Sequence, residues 1–220
     1  MAVPDDTPPS KDSLRARLRA RRDALPAAAR AAWSEHLAEF GAPALRERLG
    51  PAAIVAAYWP LRSEADPRPL ARALQAAGAS LALPVVAGEA MCFRAWSGGE
   101  RDLEPAGFGA LGPGASAPVV LPTLVLVPLL GFDATGQRLG WGKGYYDRFL
   151  AGATGTGTAR PLAVGIAFAC QRVGVIPSEP HDVRLDGVLT EQGLLVPVPA
   201  ADAPKAEDCY PCGTPRRRRS

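Results

Sequence analysis

Between Gly131 and Leu150 the chain reads GFDATGQRLGWGKGYYDRFL. Gly140, Gly142 and Gly144 stand at alternate positions, with Arg138 and Lys143 set among them. A backbone bared in this way is free to adopt positive φ. It can turn several N–H groups toward one point, and a helix starting behind it adds partial positive charge. With two cations beside it, such a turn suits an anion, and a polyphosphate is the obvious one. Neither common phosphate-loop pattern is met. GxGxxG would need Gly where Tyr145 stands, and GxxxxGK[ST] would need Gly in place of Gln137 and Ser or Thr in place of Gly144. A bare GxGxG is more often a steric feature of a strand-to-helix connection. Here Asp133, Arg138, Lys143, Tyr145, Tyr146 and Asp147 accompany it, and the balance favours a site.

The string FDxxGxRLGxGxGYYDR resembles the signature of the 5-formyltetrahydrofolate cyclo-ligases, also called 5,10-methenyltetrahydrofolate synthetases. Lys11-x-x-x-Arg15, Glu64-x-Asp66, Gln171 and His181-Asp182 extend the similarity over about residues 10–197. The resemblance implies a three-layer α/β fold and a reaction in which ATP and 5-formyltetrahydrofolate give 5,10-methenyltetrahydrofolate, ADP and phosphate. The formyl oxygen is phosphorylated, nitrogen 10 attacks the carbon, and phosphate leaves. The family's positions put ATP on Lys11, Arg15, Arg138, Leu139, Gly140, Trp141, Gly142, Lys143, Gly144, Tyr145 and Tyr146. They put the folate on Trp59, Glu64, Trp141, Gly142, Lys143, Gly144 and Tyr145. Mg²⁺ falls to Asp147 and Asp182, which the sequence alone also allows to be a helix cap or Arg148 partner and a turn former beside Pro180. Lys143 and Arg138 are the residues expected to stabilise the phosphoryl group in flight. Trp141 is expected to stack on the ligand, and one of Tyr145 and Tyr146 to be helix packing. Two positions depart from the pattern. Pro67 stands where the family usually has Thr, and Gly112 where a Glu often stands.

The elements that must carry these residues follow from periodicity. Ser10 is a plausible N-cap for a helix over 11–25 with Leu14, Leu18 and Leu25 on one stripe. Lys11, Arg15 and Arg22 form a neighbouring stripe, with Arg19 to its side, and read as a solvated rim. Lys11 is the exception, because a cation in the first turn opposes the helix dipole unless an anion lies near. A second helix starts at Pro26, shows an apolar face of Trp33, Leu37 and Phe40, and should end at Gly41 and Pro43. Strands are expected over 54–59, 80–86, 91–96, 124–128, 162–168, 187–190 and 194–196, with a helix over 67–77 and another to about Leu150. Residues 97–118 read as a long loop over a site, and 153–159 as a surface loop. Alternating strands and helices predict an open, mostly parallel sheet with helices on both faces. Ligands gather at the carboxyl ends of such strands, so Glu64, the glycine loop and Gln171 should line one crevice.

Composition removes other classes. The 220 residues suit one α/β domain at 10–197, between a loose stretch at 1–9 and a basic tail at 198–220. Net charge is +3, and without Arg216–Arg219 it is −1, so the charge does not argue for a nucleic-acid-binding domain. No membrane span or signal peptide is evident, which makes the cytoplasm the expected location and a monomer the expected state. Cys209-x-x-Cys212 lacks the second pair of a zinc ribbon. The competing readings are a sugar-phosphate isomerase or acyl-CoA transferase-like enzyme, a non-catalytic nucleotide- or folate-binding protein, and an RNA-associated protein acting through the tail.

Overall fold

The computed structural model of the chain describes residues 10–107, 109–154 and 160–199. The loose N-terminus, most of the Gly/Thr loop and the tail with its CxxC and Arg run lie outside the described residues. The order is α1 (Lys11–Asp23), α2 (Ala27–Arg46), β1 (Ile54–Ala56), α3 (Arg68–Ala76), β2 (Ser80–Ala87), β3 (Ala90–Trp96), β4 (Leu103–Pro105), β5 (Leu111–Pro113), β6 (Val119–Val120), β7 (Leu124–Pro128), β8 (Gly131–Phe132), β9 (Arg138–Leu139), α4 (Tyr145–Thr154), β10 (Leu162–Ile166), β11 (Gly187–Thr190) and β12 (Gly193–Leu195).

The main sheet has eight strands in the order β12-β11-β10-β7-β1-β2-β3-β6. Its centre, from β11 to β2, is parallel; β12, β3 and β6 pair antiparallel at the edges. Alternation along the strands divides the core. Val55, Leu124 and Leu126 pack with Leu37 and Leu45 of α2 and Leu70 and Leu74 of α3. Ala56, Val125 and Val127 face the other way, toward Phe149 and Leu150 of α4. The expected three layers are present. A third, smaller cluster joins Leu14 and Leu18 of α1 to Leu139, Val173 and Ile176, so α1 is fastened to the end of the glycine-rich stretch and not to the sheet.

Three expectations about the elements fail, each for a packing reason. Helix α2 passes through Gly41 and Pro43 and ends at Arg46. A Cβ on Gly41 would lie 2.3 Å from Leu189 Cδ2, so this glycine permits close approach of helix and strand and is not a stop. The buried face of α2 carries Leu37, Gly41 and Leu45, while Phe40 is 46% exposed. Residues 97–118 are not a bare loop, because they contain the β4–β5 hairpin, tied to the sheet edge by Arg94, which donates to the Ala115 and Ala117 carbonyls. The glycine-rich stretch is two structures. Its first part is a β8–β9 hairpin in which Asp133 Oδ1 accepts from the amides of Thr135 and Gln137, and only 140–144 forms a loop before α4.

Candidate active site

The loop leaves β9, which is held down by Arg138. That side chain is 5% exposed, donates to the Val183 carbonyl and forms an ion pair with Asp147 Oδ1 at 2.6 Å. Asp147 Oδ1 also accepts from the Val183 amide at 3.0 Å. Arg138 and Asp147 thus clamp the start of α4 to residue 183. The partner of Asp147 is Arg138 and not its neighbour Arg148.

Beyond β9 the backbone opens outward. Trp141, Gly142 and Lys143 are exposed, and Gly142 and Gly144 take φ of 92° and 66°. Only glycine adopts these angles without strain. Among the described residues, the amides of Gly142, Lys143 and Gly144 donate to no protein acceptor, and Lys143 makes no ion pair. The loop runs into the N-terminus of α4. Arg15 reaches it from α1, with Nε donating to the Gly140 carbonyl at 3.0 Å and Cζ close beside Gly142. Two N–H-bearing segments and two cations therefore meet here, which is what an anion needs.

Lys11 lies one turn earlier on α1. The anions near it are Asp182 at 2.8 Å and Glu179 at 3.3 Å, which explain a cation in a first helical turn. Partial burial opposes the charge of Lys11, but its hydrogen bonds to Asp182 and Glu179 outweigh this and hold its pKa above the usual lysine value. Burial likewise works against ionised Asp182, and the Lys11 bond and the Glu179 amide overcome it and hold the carboxyl below the usual range. Ligand atoms of Glu179, His181 and Asp182 lie within 4.8 Å of one another. Carboxylate oxygens of this kind suit a hard cation such as Mg²⁺. Asp182 Oδ1 is the better-placed donor, since its nearest partner is the His181 ring nitrogen at 3.9 Å.

Glu64, from the segment after β1, meets the loop directly: Trp141 Nε1 donates to Glu64 Oε1 at 2.9 Å, and the Leu61 amide donates to Oε2 at 2.9 Å. Burial raises the Glu64 pKa, with those two donors and the charge of Arg22 offsetting part of the rise. Trp59 sits apart from this contact, its ring covered by the Arg68 guanidinium at 4.5 Å. Tyr146 packs against the α4 side of the core, and burial raises its pKa. Tyr145 instead donates to the Gly88 carbonyl at 3.1 Å. Gln171 does not line the crevice. It is 1% exposed, and its amide joins Phe168 N–H to the Leu129 and Leu130 carbonyls. A separate cavity of about 240 Å³ lies by Phe132, Arg172 and Pro197, and none of the expected site residues lines it.

The rim reading of α1 missed Arg22. It is 1% exposed, Nε donates to Ser63 Oγ at 3.0 Å, and neither Nη1 nor Nη2 has an acceptor among the described residues. Its Cζ is 5.5 Å from the centre of the Trp141 ring, and that of Arg19 is 4.8 Å away. The spacing Leu14, Leu18, Arg22 at i, i+4, i+8 was the available signal, because it continues the buried stripe.

The two departures have structural counterparts. Pro67 immediately precedes α3, and Asp66 Oδ1 accepts from the Arg68 amide. At Gly112 a Cβ would lie 2.8 Å from Ala106 Cβ and 3.1 Å from the Pro84 carbonyl, so this backbone has no room for a Glu.

The sequence profile of the 5-formyltetrahydrofolate cyclo-ligase family matches residues 7–191. A 5-formyltetrahydrofolate cyclo-ligase of Mycolicibacterium smegmatis is 34% identical over 205 residues, covering 86% of this chain and 98% of that one. The mouse 5-formyltetrahydrofolate cyclo-ligase is 43% identical over 68 residues, a span of 31% of this chain and 34% of the mouse chain. The Aquifex aeolicus 5,10-methenyltetrahydrofolate synthetase structure superposes with a TM-score of 0.70 at 28% identity, covering 84% of this chain and 92% of its own. Fold and relatives together define a ligase. The chain belongs to the 5-formyltetrahydrofolate cyclo-ligase family. No helix among the described residues is long and apolar enough to cross a membrane.

Proposed function

We propose that the chain cyclises 5-formyltetrahydrofolate to 5,10-methenyltetrahydrofolate, with ATP as phosphoryl donor and Mg²⁺ as cofactor. The observation that carries this reading is the Trp141–Glu64 hydrogen bond, which brings the phosphate loop and the folate-side carboxylate to one place. The γ-phosphate rests on the amides of Gly142, Lys143 and Gly144, with Lys143 and Arg15 on its charge. Arg138 acts from below, through the Asp147 clamp that fixes where β9 ends and α4 begins. Lys11 joins the triphosphate by sharing Asp182. Asp182 would supply a carboxylate oxygen to Mg²⁺, which would neutralise phosphate charge, whereas Asp147 Oδ1 is engaged by Arg138 and the Val183 amide.

On the folate side, Glu64 accepts from N–H groups of the substrate once Trp141 releases it, and Trp141 then lies against the bound ring. Tyr145 closes the side toward Gly88. Leu139 and Tyr146 hold the loop ends in the core. A formamide oxygen is a poor leaving group. Phosphorylation turns it into a good one, nitrogen 10 attacks the activated carbon and gives up its proton, and phosphate leaves carrying that proton, so that the methenyl cation remains. The catalytic contribution is proximity and charge stabilisation. A cytoplasmic monomer suffices for this chemistry.

Purified protein with Mg²⁺, ATP and 5-formyltetrahydrofolate is expected to give methenyl absorbance and ADP in equal amounts. Either ADP formed without folate or no ADP at all contradicts the reading, and only the second outcome favours a non-catalytic binder.

A further inference from the structure

Trp141 and Arg22 together describe a ligand. The indole is a flat, fused two-ring system with one N–H and no acceptor. Its N–H goes to Glu64 Oε1, and the guanidinium groups of Arg19 and Arg22 lie against its ring. The indole satisfies Glu64, but it has nothing to offer Nη1 and Nη2 of Arg22, which are buried without an acceptor among the described residues. No ion pair joins Arg22 to Glu64 among the described residues, so donor fork and carboxylate stand apart with the indole against them. Native proteins rarely leave buried charged donors unmet.

We propose that Arg22 is a specificity residue for the substrate's heterocycle, donating to its oxo group while Glu64 accepts from the adjoining N–H edge, in the space the Trp141 indole now fills. This rests on the cyclo-ligase reading and assigns the part of the substrate that reading leaves open. The pair is matched to an amide-like edge, in which a carbonyl and an N–H adjoin on a flat bicycle. A charged glutamate tail belongs elsewhere, since Arg22 is 1% exposed and such a tail would lose its hydration here.

The test is equilibrium binding, without ATP, of 5-formyltetrahydrofolate and of its 4-amino-4-deoxy counterpart, which presents a donor where the oxo oxygen was. Wild type is expected to prefer the oxo compound by about tenfold to a hundredfold, as loss of a charge-assisted hydrogen bond implies. In Arg22→Met the preference is expected to fall to about threefold or less. A merely structural role for Arg22 would lower stability and leave the preference intact, which overturns the assignment. If the Met variant does not fold, Arg22→Lys carries the test, because one ammonium replaces the planar fork and the preference is expected to fall by at least about threefold. Wild type that binds neither compound refutes the cyclo-ligase reading itself. Wild type that binds and converts the folate, with a preference unmoved by either substitution, refutes only the role of Arg22.

Discussion

Lys143 is the exposed cation of the loop, and nothing in the described fold needs it. Lys143→Ala should therefore leave the melting temperature unchanged and lower kcat by about 10²–10³, the usual cost of losing one electrostatic stabiliser of a transition state. Steady-state kinetics beside a thermal melt checks this; an unchanged kcat would move the phosphate site elsewhere. Arg138 gives the opposite pattern, since its 5% exposed side chain clamps Asp147 and its loss should register first in stability. Glu64 makes a pH prediction. Burial raises its pKa above 4.5, so as pH falls toward that raised value the carboxylate gains a proton and loses acceptor capacity. Its direct hydrogen-bond donors, the Trp141 ring N–H and the Leu61 amide, do not ionise there. Folate binding should weaken with acid in this range, and Glu64→Gln should bind weakly at every pH. A Gln variant that kept the wild-type pH profile would assign the titration to another group.

The loop is held between two helices, one carrying Arg15 and Lys11 and the other beginning where the loop ends. Local signals marked both. Ser10 caps α1 as its type suggests, with Ser10 Oγ accepting from the Ser13 amide, and the residues of the 140–144 loop are contiguous in sequence. Where expectation failed, the deciding fact was a distant partner. Gly41 looks like a helix end until Leu189 is placed against it, and Arg22 looks like a rim residue until Ser63 and Trp141 cover it. The β8–β9 hairpin was hidden because glycine-rich sequence carries no alternation from which to read register. The close approach of α2 to β11 makes a further prediction. Gly41→Ala would push a methyl group into Leu189 and should destabilise the fold by about 1–3 kcal/mol, despite the better helix propensity of Ala. Denaturant unfolding measures it; a stabilised variant would show that the helix stands off farther.

At the scale of the molecule, a five-strand parallel centre brings the ends of β1 and β7 side by side, because those strands are direct neighbours in the sheet. The segment after β1 supplies Glu64, and the chain after β7 supplies the hairpin and loop. Their adjacency could be argued from alternating strands and helices, but the antiparallel β2–β3 edge could not, since it depends on which strand reaches the sheet border. The net charge of +3 does not bear on the site, because the four terminal arginines more than account for it. The architecture holds the exposed 140–144 loop against the buried carboxylate of Glu64, and under the proposed function a phosphoryl group passes there to the substrate's formyl oxygen. The most direct measurement is to supply 5-formyltetrahydrofolate labelled with ¹⁸O in the formyl group and to weigh the phosphate released. Phosphate carrying one ¹⁸O atom per methenyl product is predicted, and unlabelled phosphate would contradict the account.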